Sequence, residues 1–126
     1  MLNSIINKQF TIIKSMKQND INIESVLASF TQKVKQIYGT RLEKIILYGS
    51  YARGTQNTDS DIDIMVVLKN IELQHGKVGI IGSLITEMKG QFNVLISIIP
   101  VTFQRYSESQ RLFYKNVRKE GIVIYE

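Results

Sequence analysis

A small-residue turn in the first half of the chain could bind phosphate. Gly49 and Ser50 follow a short apolar run, and Arg53 comes shortly after them. Backbone N–H groups at such a turn can bind a phosphate together with the Ser50 hydroxyl, and Gly49 allows the ligand to approach closely. The Arg53 guanidinium could neutralise phosphate charge in the same pocket. Gly49, Ser50 and Arg53 are therefore predicted to bind the phosphates of a ligand.

A pair of aspartates follows this turn and could bind a divalent cation. Asp61 and Asp63 open an apolar segment at positions i and i+2, so in a strand both carboxylates lie on one face. Two such charges ~5–6 Å apart repel by roughly 3 kcal/mol at an effective dielectric constant near 20, and a bridging Mg²⁺ would turn that repulsion into a ligand set. An isolated Asp-x-Asp is more often a hydrated pair at a strand start. Beside a phosphate-binding turn, it predicts a site for a nucleotide and Mg²⁺.

Two tyrosines flank the turn and could stack on a base. Packing in the core is the favoured interpretation for Tyr48, whereas the residues leave both possibilities open for Tyr51.

Length and composition predict one small globular domain. The chain has 126 residues, of which 44% are hydrophobic and 21% charged, and it has no cysteine. We expect a single domain over residues 1–126, with N-terminal helices in 1–40 and the core in 43–126. No apolar run approaches the ~20 residues of a membrane span, and the first residues lack the features of a signal peptide. The expected location is the cytoplasm, without disulfides or a membrane partner.

The net charge of +5 favours polyanionic ligands such as nucleotides or RNA. Basic residues are spread along the chain and are densest in its last third. They are better explained as a solvated helix face than as a nucleic-acid surface, since no RNA or DNA motif is present. Direct nucleic-acid binding therefore ranks last among the functions considered.

Hydrophobic periodicity predicts the elements that position these residues. Helices are predicted over residues 2–16, 23–39, 72–89 and 102–119, with a helical first turn at 50–54. Strands are predicted over residues 44–48, 61–69, 92–99 (ended by Pro100) and 121–125, the last at an edge. This order predicts an α/β (α+β) fold in which a small mixed β-sheet has helices packed mainly on one face.

The stretch from Gly49 to Asp63 resembles the signature of the minimal nucleotidyltransferases, which belong to the DNA polymerase β-like superfamily. That signature is Gly-Ser, ten residues, then Asp-x-Asp, and the Ala-Arg-Gly after the turn and the Ser-Asp at the pair also agree with it. The segments 113–117 and 119–122 resemble the C-terminal helix and strand of the family more loosely.

The resemblance implies a nucleotidyltransferase fold and a reaction. A nucleoside monophosphate, with AMP from ATP as the first expectation, would pass from an NTP to a hydroxyl group with release of pyrophosphate. Gly49 and Ser50 would anchor the terminal phosphates, with Arg53 assisting. Asp61 and Asp63 would be the catalytic residues and would hold one or two Mg²⁺ ions.

The third predicted strand departs from the family pattern because it contains no acid. Family members that catalyse usually have a third carboxylate there, and Asn93 or Ser97 occupies the corresponding position. Neither side chain can act as a general base or as a strong ligand of a second metal ion. Besides an active enzyme, a protein of the same fold that neutralises a partner by binding it therefore remains a hypothesis.

The resemblance also implies a protein partner. Larger relatives have an extra helical domain that holds the acceptor, and 126 residues leave no room for one. The usual partner in the family is a HEPN-domain toxin, an RNase whose antitoxin is the nucleotidyltransferase. Transfer to a small molecule of the aminoglycoside type is the less favoured alternative.

Overall fold

A computed structural model describes residues 22–70 and 78–126. In chain order its elements are α1 (Ile23–Tyr38), a 3-10 turn (Gly39–Arg41), β1 (Leu42–Tyr48), α2 (Ser50–Arg53), β2 (Ile62–Leu68), α3 (Val78–Phe92), β3 (Ile96–Thr102), α4 (Phe103–Glu108), α5 (Leu112–Glu120) and β4 (Ile122–Tyr125). The helix predicted over residues 2–16 and the start of the one predicted over 72–89 lie outside the described residues.

The four strands form one mixed sheet in the order β3-β2-β1-β4. Strand β1 pairs antiparallel with β2 and with β4, whereas β2 and β3 are parallel. The run Ile64–Leu68 in β2 is at most 2% exposed, as expected for a continuously apolar central strand. The mixed sheet and the edge position of the closing strand are confirmed.

Helices cover both faces of the sheet, and successive side chains of each strand point to opposite faces. Helices α1 and α3 cover the first face, where they pack on residues such as Leu47 and Ile64. On the second face, Ile46, Met65 and Val67 pack against α5. The two longest described helices thus share the first face, and α5 lies on the second. Asp63 alternates with Ile64 and therefore lies on the second face.

Helix α1 begins and ends at the signals that its sequence contains. The Asn22 side chain accepts a hydrogen bond from Ser25 N (3.1 Å) as the N-cap, and Gly39 follows the last turn with a φ of 56°. The prediction of a helix that begins at Ile23 and is ended by Gly39 is confirmed. Among the helices of the described ranges, none has the length and apolar character needed to cross a membrane.

The prediction for the third strand was wrong in its bounds. Helix α3 continues to Phe92 and ends at Asn93, whose φ of 57° closes the helix through a hydrogen bond from its N–H to Lys89 O (2.8 Å). Strand β3 begins only at Ile96 and contains Pro100. Proline is tolerated there because β3 is an edge strand that pairs with β2 alone, so its missing N–H can face the open edge.

The helix predicted over 102–119 is two helices, α4 and α5, with a break at residues 109–111. Ser109 has an extended backbone (φ −62°, ψ 134°) that ends α4. The Arg118 guanidinium then donates to the carbonyls of Tyr106 and Ser109, at 2.8 Å each. One side chain of α5 thus satisfies carbonyl groups at the end of α4, which stabilises the corner between the helices.

We expect Gly121→Ala to destabilise the fold by about 1–3 kcal/mol, the range for overpacking a filled site. A Cβ at Gly121 would lie 2.6 Å from Ile46 Cγ2 and 2.6 Å from the Val117 carbonyl oxygen, so α5 and β1 would have to separate. Gly90→Ala is the control, because a Cβ there meets nothing within 4 Å and alanine favours the helix. Urea denaturation should show a loss for the first variant and none for the second. Equal stabilities would contradict the packing argument.

Candidate active site

The turn after β1 has the sharp geometry that its sequence predicts. Gly49 adopts φ 77° and ψ −154°, a conformation that favours glycine. Its carbonyl accepts hydrogen bonds from the N–H groups of Ala52 and Arg53, both at 3.1 Å, which close the single turn of α2. Gly54, with φ 76° and ψ 19°, ends that turn. The chain therefore reverses within a few residues at the end of a buried strand.

The turn lies against the aspartate pair. Tyr48 stands opposite Asp63 in the register of β1 and β2, so the residue after Tyr48 comes beside that carboxylate. A Cβ built on Gly49 would overlap Asp63 Oδ2 and would lie 3.1 Å from Asp63 Cγ. The glycine thus leaves the space that the carboxylate occupies. The sheet brings together two motifs that are separate in the sequence.

The charges around Asp63 also connect the predicted residues. Partial burial and the negative charge of Asp61 raise the pKa of Asp63, whereas the positive charge of Arg53 lowers it. Asp61 is exposed and Asp63 is half-buried. Two carboxylates that repel each other beside a glycine-lined gap are a donor set that suits a hard divalent cation such as Mg²⁺.

Ser97 is the residue of β3 that stands beside this pair. The parallel register aligns Asp63 with Ser97, so the two side chains lie on the same face. Asn93 is exposed and precedes the strand, at the end of α3. Within the described ranges, no group of three or more His, Cys, Asp or Glu side chains could hold a metal ion. The position considered for a third carboxylate is therefore occupied by a hydroxyl.

Arg53 pairs with a residue that the sequence did not single out. Its Nη1 lies 3.7 Å from Glu120 Oε1, and the two side chains are 50% and 42% exposed. Such an exposed pair is worth about 0–1 kcal/mol, so a phosphate could take the guanidinium from Glu120 at little cost. The weak ion pair thus keeps Arg53 near the turn and leaves its guanidinium available to bind a phosphate.

A pocket of about 200 Å³ opens between the turn and α5. Four of its residues come from one face of α5, at the spacing i, i+3, i+4 and i+7. This periodicity could have shown that they share a face, although not that the face borders the turn. Its lining residues are Tyr48, Gly49, Arg53, Phe113, Asn116, Val117 and Glu120.

The two tyrosines beside the turn have different environments. Tyr51 is 2% exposed and belongs to the core on the first face of the sheet. Tyr48 is half-buried, packs against the core of the second face and lines the pocket. Burial, with the nearby Asp63 charge and Tyr114 as smaller causes, raises the pKa of Tyr48 to about 12. The phenol is therefore neutral at physiological pH and can donate a hydrogen bond.

We expect Asp63→Asn to raise the thermal stability at neutral pH in buffer without divalent cations. Because the folded-state pKa of Asp63 is raised, its negative charge destabilises the fold at pH values above that pKa. This destabilisation disappears as the pH falls and the carboxyl group takes up a proton. The variant should have a higher Tm than the unmodified chain at pH 7. The gain should shrink towards the unfolded-state pKa of about 3.9.

The control for this measurement is Asp59→Asn in the exposed loop before β2. It removes the same charge from an exposed residue that is not a member of the carboxylate pair, and it should leave Tm unchanged. A lower Tm for Asp63→Asn at pH 7 would show that the carboxylate stabilises the fold, contrary to the sign derived above.

Comparisons with known proteins identify relatives of this chain. Residues 31–126 match the family model described as Polymerase beta, Nucleotidyltransferase. Over 106 residues the chain is 32% identical to Putative protein adenylyltransferase MJ0604 of Methanocaldococcus jannaschii, which covers 83% of this chain and 100% of that protein. Over 59 residues it is 39% identical to Protein adenylyltransferase MntA of Thermococcus cleftensis, which covers 41% of this chain and 58% of that protein.

A solved structure shares the fold. The crystal structure of a toxin–antitoxin with AMP-PNP superposes with a TM-score of 0.54 at 20% identity, over 77% of this chain and 71% of that chain. At that identity the likeness concerns the fold alone.

Proposed function

This chain belongs to the polymerase β nucleotidyltransferase family, and on that premise we propose that it transfers AMP from ATP to a hydroxyl group of a partner protein. The partner in this proposal is a toxin of the HEPN type, and the chain is its antitoxin. A protein acceptor is supported by the full-length similarity to a relative named as a protein adenylyltransferase. The solved structure that shares the fold is a toxin–antitoxin with AMP-PNP, which supports a toxin as the partner and a nucleotide of the ATP type.

The observation that best supports nucleotide chemistry is the contact between the turn and the aspartate pair. Only a residue without a side chain fits at Gly49, because a Cβ would overlap the Asp63 carboxylate. A phosphate at the turn would therefore be close to the carboxylates that could hold its cation. A phosphate-binding turn alone, or a pair of aspartates alone, would not require a glycine packed against a carboxylate.

The proposed reaction is an in-line displacement at the α-phosphorus of ATP. The acceptor oxygen forms a bond to that phosphorus, the bond to the oxygen bridging the α- and β-phosphates breaks, and pyrophosphate leaves. The turn of Gly49 and Ser50 would bind the terminal phosphates, and Arg53 would neutralise part of their charge. Asp61 and Asp63 would hold one or two Mg²⁺ ions, which supply charge neutralisation. The acceptor protein would provide the base for its own hydroxyl proton.

A second candidate function follows from the composition of the site. Because Ser97 stands beside Asp63, no third carboxylate joins Asp61 and Asp63 as a possible metal ligand within the described ranges. A chain that neutralises its partner by binding, with slow transfer or none, would fit the same geometry. Transfer to the partner and neutralisation of the partner must therefore be measured separately.

The test is to incubate the chain with α-labelled ATP, Mg²⁺ and the product of the neighbouring gene. We expect label on that product and none when Mg²⁺ is removed with a chelator. Calorimetry of Mg·ATP with the chain alone is the accompanying binding measurement. No binding at millimolar nucleotide would contradict the proposed enzyme, whereas binding and neutralisation without label would favour the second candidate.

A further inference from the structure

The pocket beside α5 continues directly from the phosphate turn. Gly49 and Arg53 belong to both, and Tyr48 connects the pocket to Asp63 through the register of β1 and β2. Its volume of about 200 Å³ is below the ~300 Å³ at which pockets for drug-sized ligands begin. The pocket therefore has room for one part of a nucleotide whose phosphates lie at the turn.

Aromatic rings form one wall of this pocket. The Phe113 ring is 5.5 Å from the Tyr48 ring at 85° and 5.2 Å from the Tyr114 ring at 77°, so its neighbours contact it edge to face. Phe113 remains 41% exposed although it is large and apolar. A flat ring that stacks on Phe113 would bury this surface, and Val117 offers further apolar contact in the same pocket.

Hydrogen-bonding groups lie in the same pocket. Asn116 lines the pocket and has an amide donor and a carbonyl acceptor, and within the described ranges its side chain makes no hydrogen bond to another residue. This pair of groups is complementary to the N6 amino group and N7 of adenine, which asparagine recognises with two hydrogen bonds. Guanine has an acceptor at O6 where adenine has a donor, so the same amide would bind it less well in that orientation.

We infer that this pocket binds the adenine ring of the nucleotide, with Phe113 as the stacking platform and Asn116 as the residue that selects adenine. The inference rests on the proposed function, because the phosphate turn beside the pocket must hold the rest of the nucleotide. The face of α5 that contains residues 113 and 116 would then determine the base preference of the enzyme.

The experiment compares ligands with and without a base. Binding of Mg·ATP, Mg·GTP and Mg·tripolyphosphate is measured by calorimetry for the unmodified chain, Phe113→Ala and Asn116→Ala. We expect Phe113→Ala to weaken ATP binding about tenfold, as for loss of one base–aromatic stack, and to leave tripolyphosphate binding within about twofold. Asn116→Ala should lower the preference for ATP over GTP about fivefold or more.

Leu112→Ala is the matched control, because Leu112 is 71% exposed, neighbours Phe113 and does not line the pocket. It should change none of the three affinities. Unchanged ATP binding in Phe113→Ala, or a parallel loss of ATP and tripolyphosphate, would overturn the adenine pocket while leaving the phosphate site in place. If the unmodified chain binds neither ATP nor tripolyphosphate, the proposed function fails and the pocket assignment fails with it.

Discussion

Asp61→Asn and Asp63→Asn should each lower AMP transfer to the partner by about 10³-fold or more. Each variant removes one of the two carboxylates that would hold Mg²⁺. Stabilisation of the transition state by the metal ion is worth several kcal/mol, and each 1.36 kcal/mol of activation free energy changes the rate tenfold. The amide has nearly the same shape as the carboxylate, so the change is mainly one of charge. The measurement is the initial rate of label transfer from ATP at saturating partner.

The stability prediction for Asp63→Asn makes this experiment decisive. Because the raised pKa of Asp63 means that its charge destabilises the folded state, the variant should be inactive and at least as stable as the unmodified chain. Loss of activity could then not be attributed to unfolding. Asp59→Asn, which removes a nearby exposed charge, should transfer at the normal rate. Transfer within tenfold of normal in both site variants would contradict the role assigned to the pair.

The same variants separate the two candidate functions. A partner protein that is neutralised by AMP transfer should regain its activity when it is paired with Asp61→Asn. A partner that is neutralised by binding should remain inhibited, since Asp61 is exposed at the strand start and its replacement leaves the packing unchanged. The activity of the partner in the presence of each variant therefore shows whether AMP transfer or binding neutralises it.

Local patterns in the sequence predicted the elements around the site well. The run 44–48, the turn at Gly49 and the apolar segment after Asp61 are consecutive, and each has a strong signal of its own. Their antiparallel pairing then places Tyr48 opposite Asp63. The predicted juxtaposition of turn and acid therefore needed only short-range information.

Features that depend on pairing between distant segments could not be predicted in this way. Whether Asn93 or Ser97 stands beside Asp63 depends on where β3 begins and on its register with β2. The predicted strand started too early, at residue 92. Asn93 in fact ends α3 in a left-handed conformation, and the apolar composition of the segment gives no sign of this. The pocket was missed for a related reason, since it exists only where α5 packs across the end of β1.

Gly49→Ala should abolish most transfer, by about 100-fold or more, while costing about 1–3 kcal/mol of stability. The stability loss follows from the backbone, because φ 77° with ψ −154° is a conformation that residues with a side chain adopt only under strain. The activity loss has a separate cause. The added Cβ would overlap Asp63 Oδ2, so the carboxylate or the turn must move, and misplacement by about 1 Å can lower a rate 100-fold.

Gly54→Ala, at the other end of the same short helix, separates these two causes. Gly54 also has a positive φ, 76°, but a Cβ there meets nothing within 4 Å. It should lose about 1–2 kcal/mol of stability from the left-handed backbone and keep its transfer rate within a few-fold. The measurements are urea denaturation and the rate of label transfer per folded molecule, made on both variants. Equal activity losses would show that turn strain alone explains the effect, whereas a loss confined to Gly49→Ala would identify the space beside Asp63 as the requirement for catalysis.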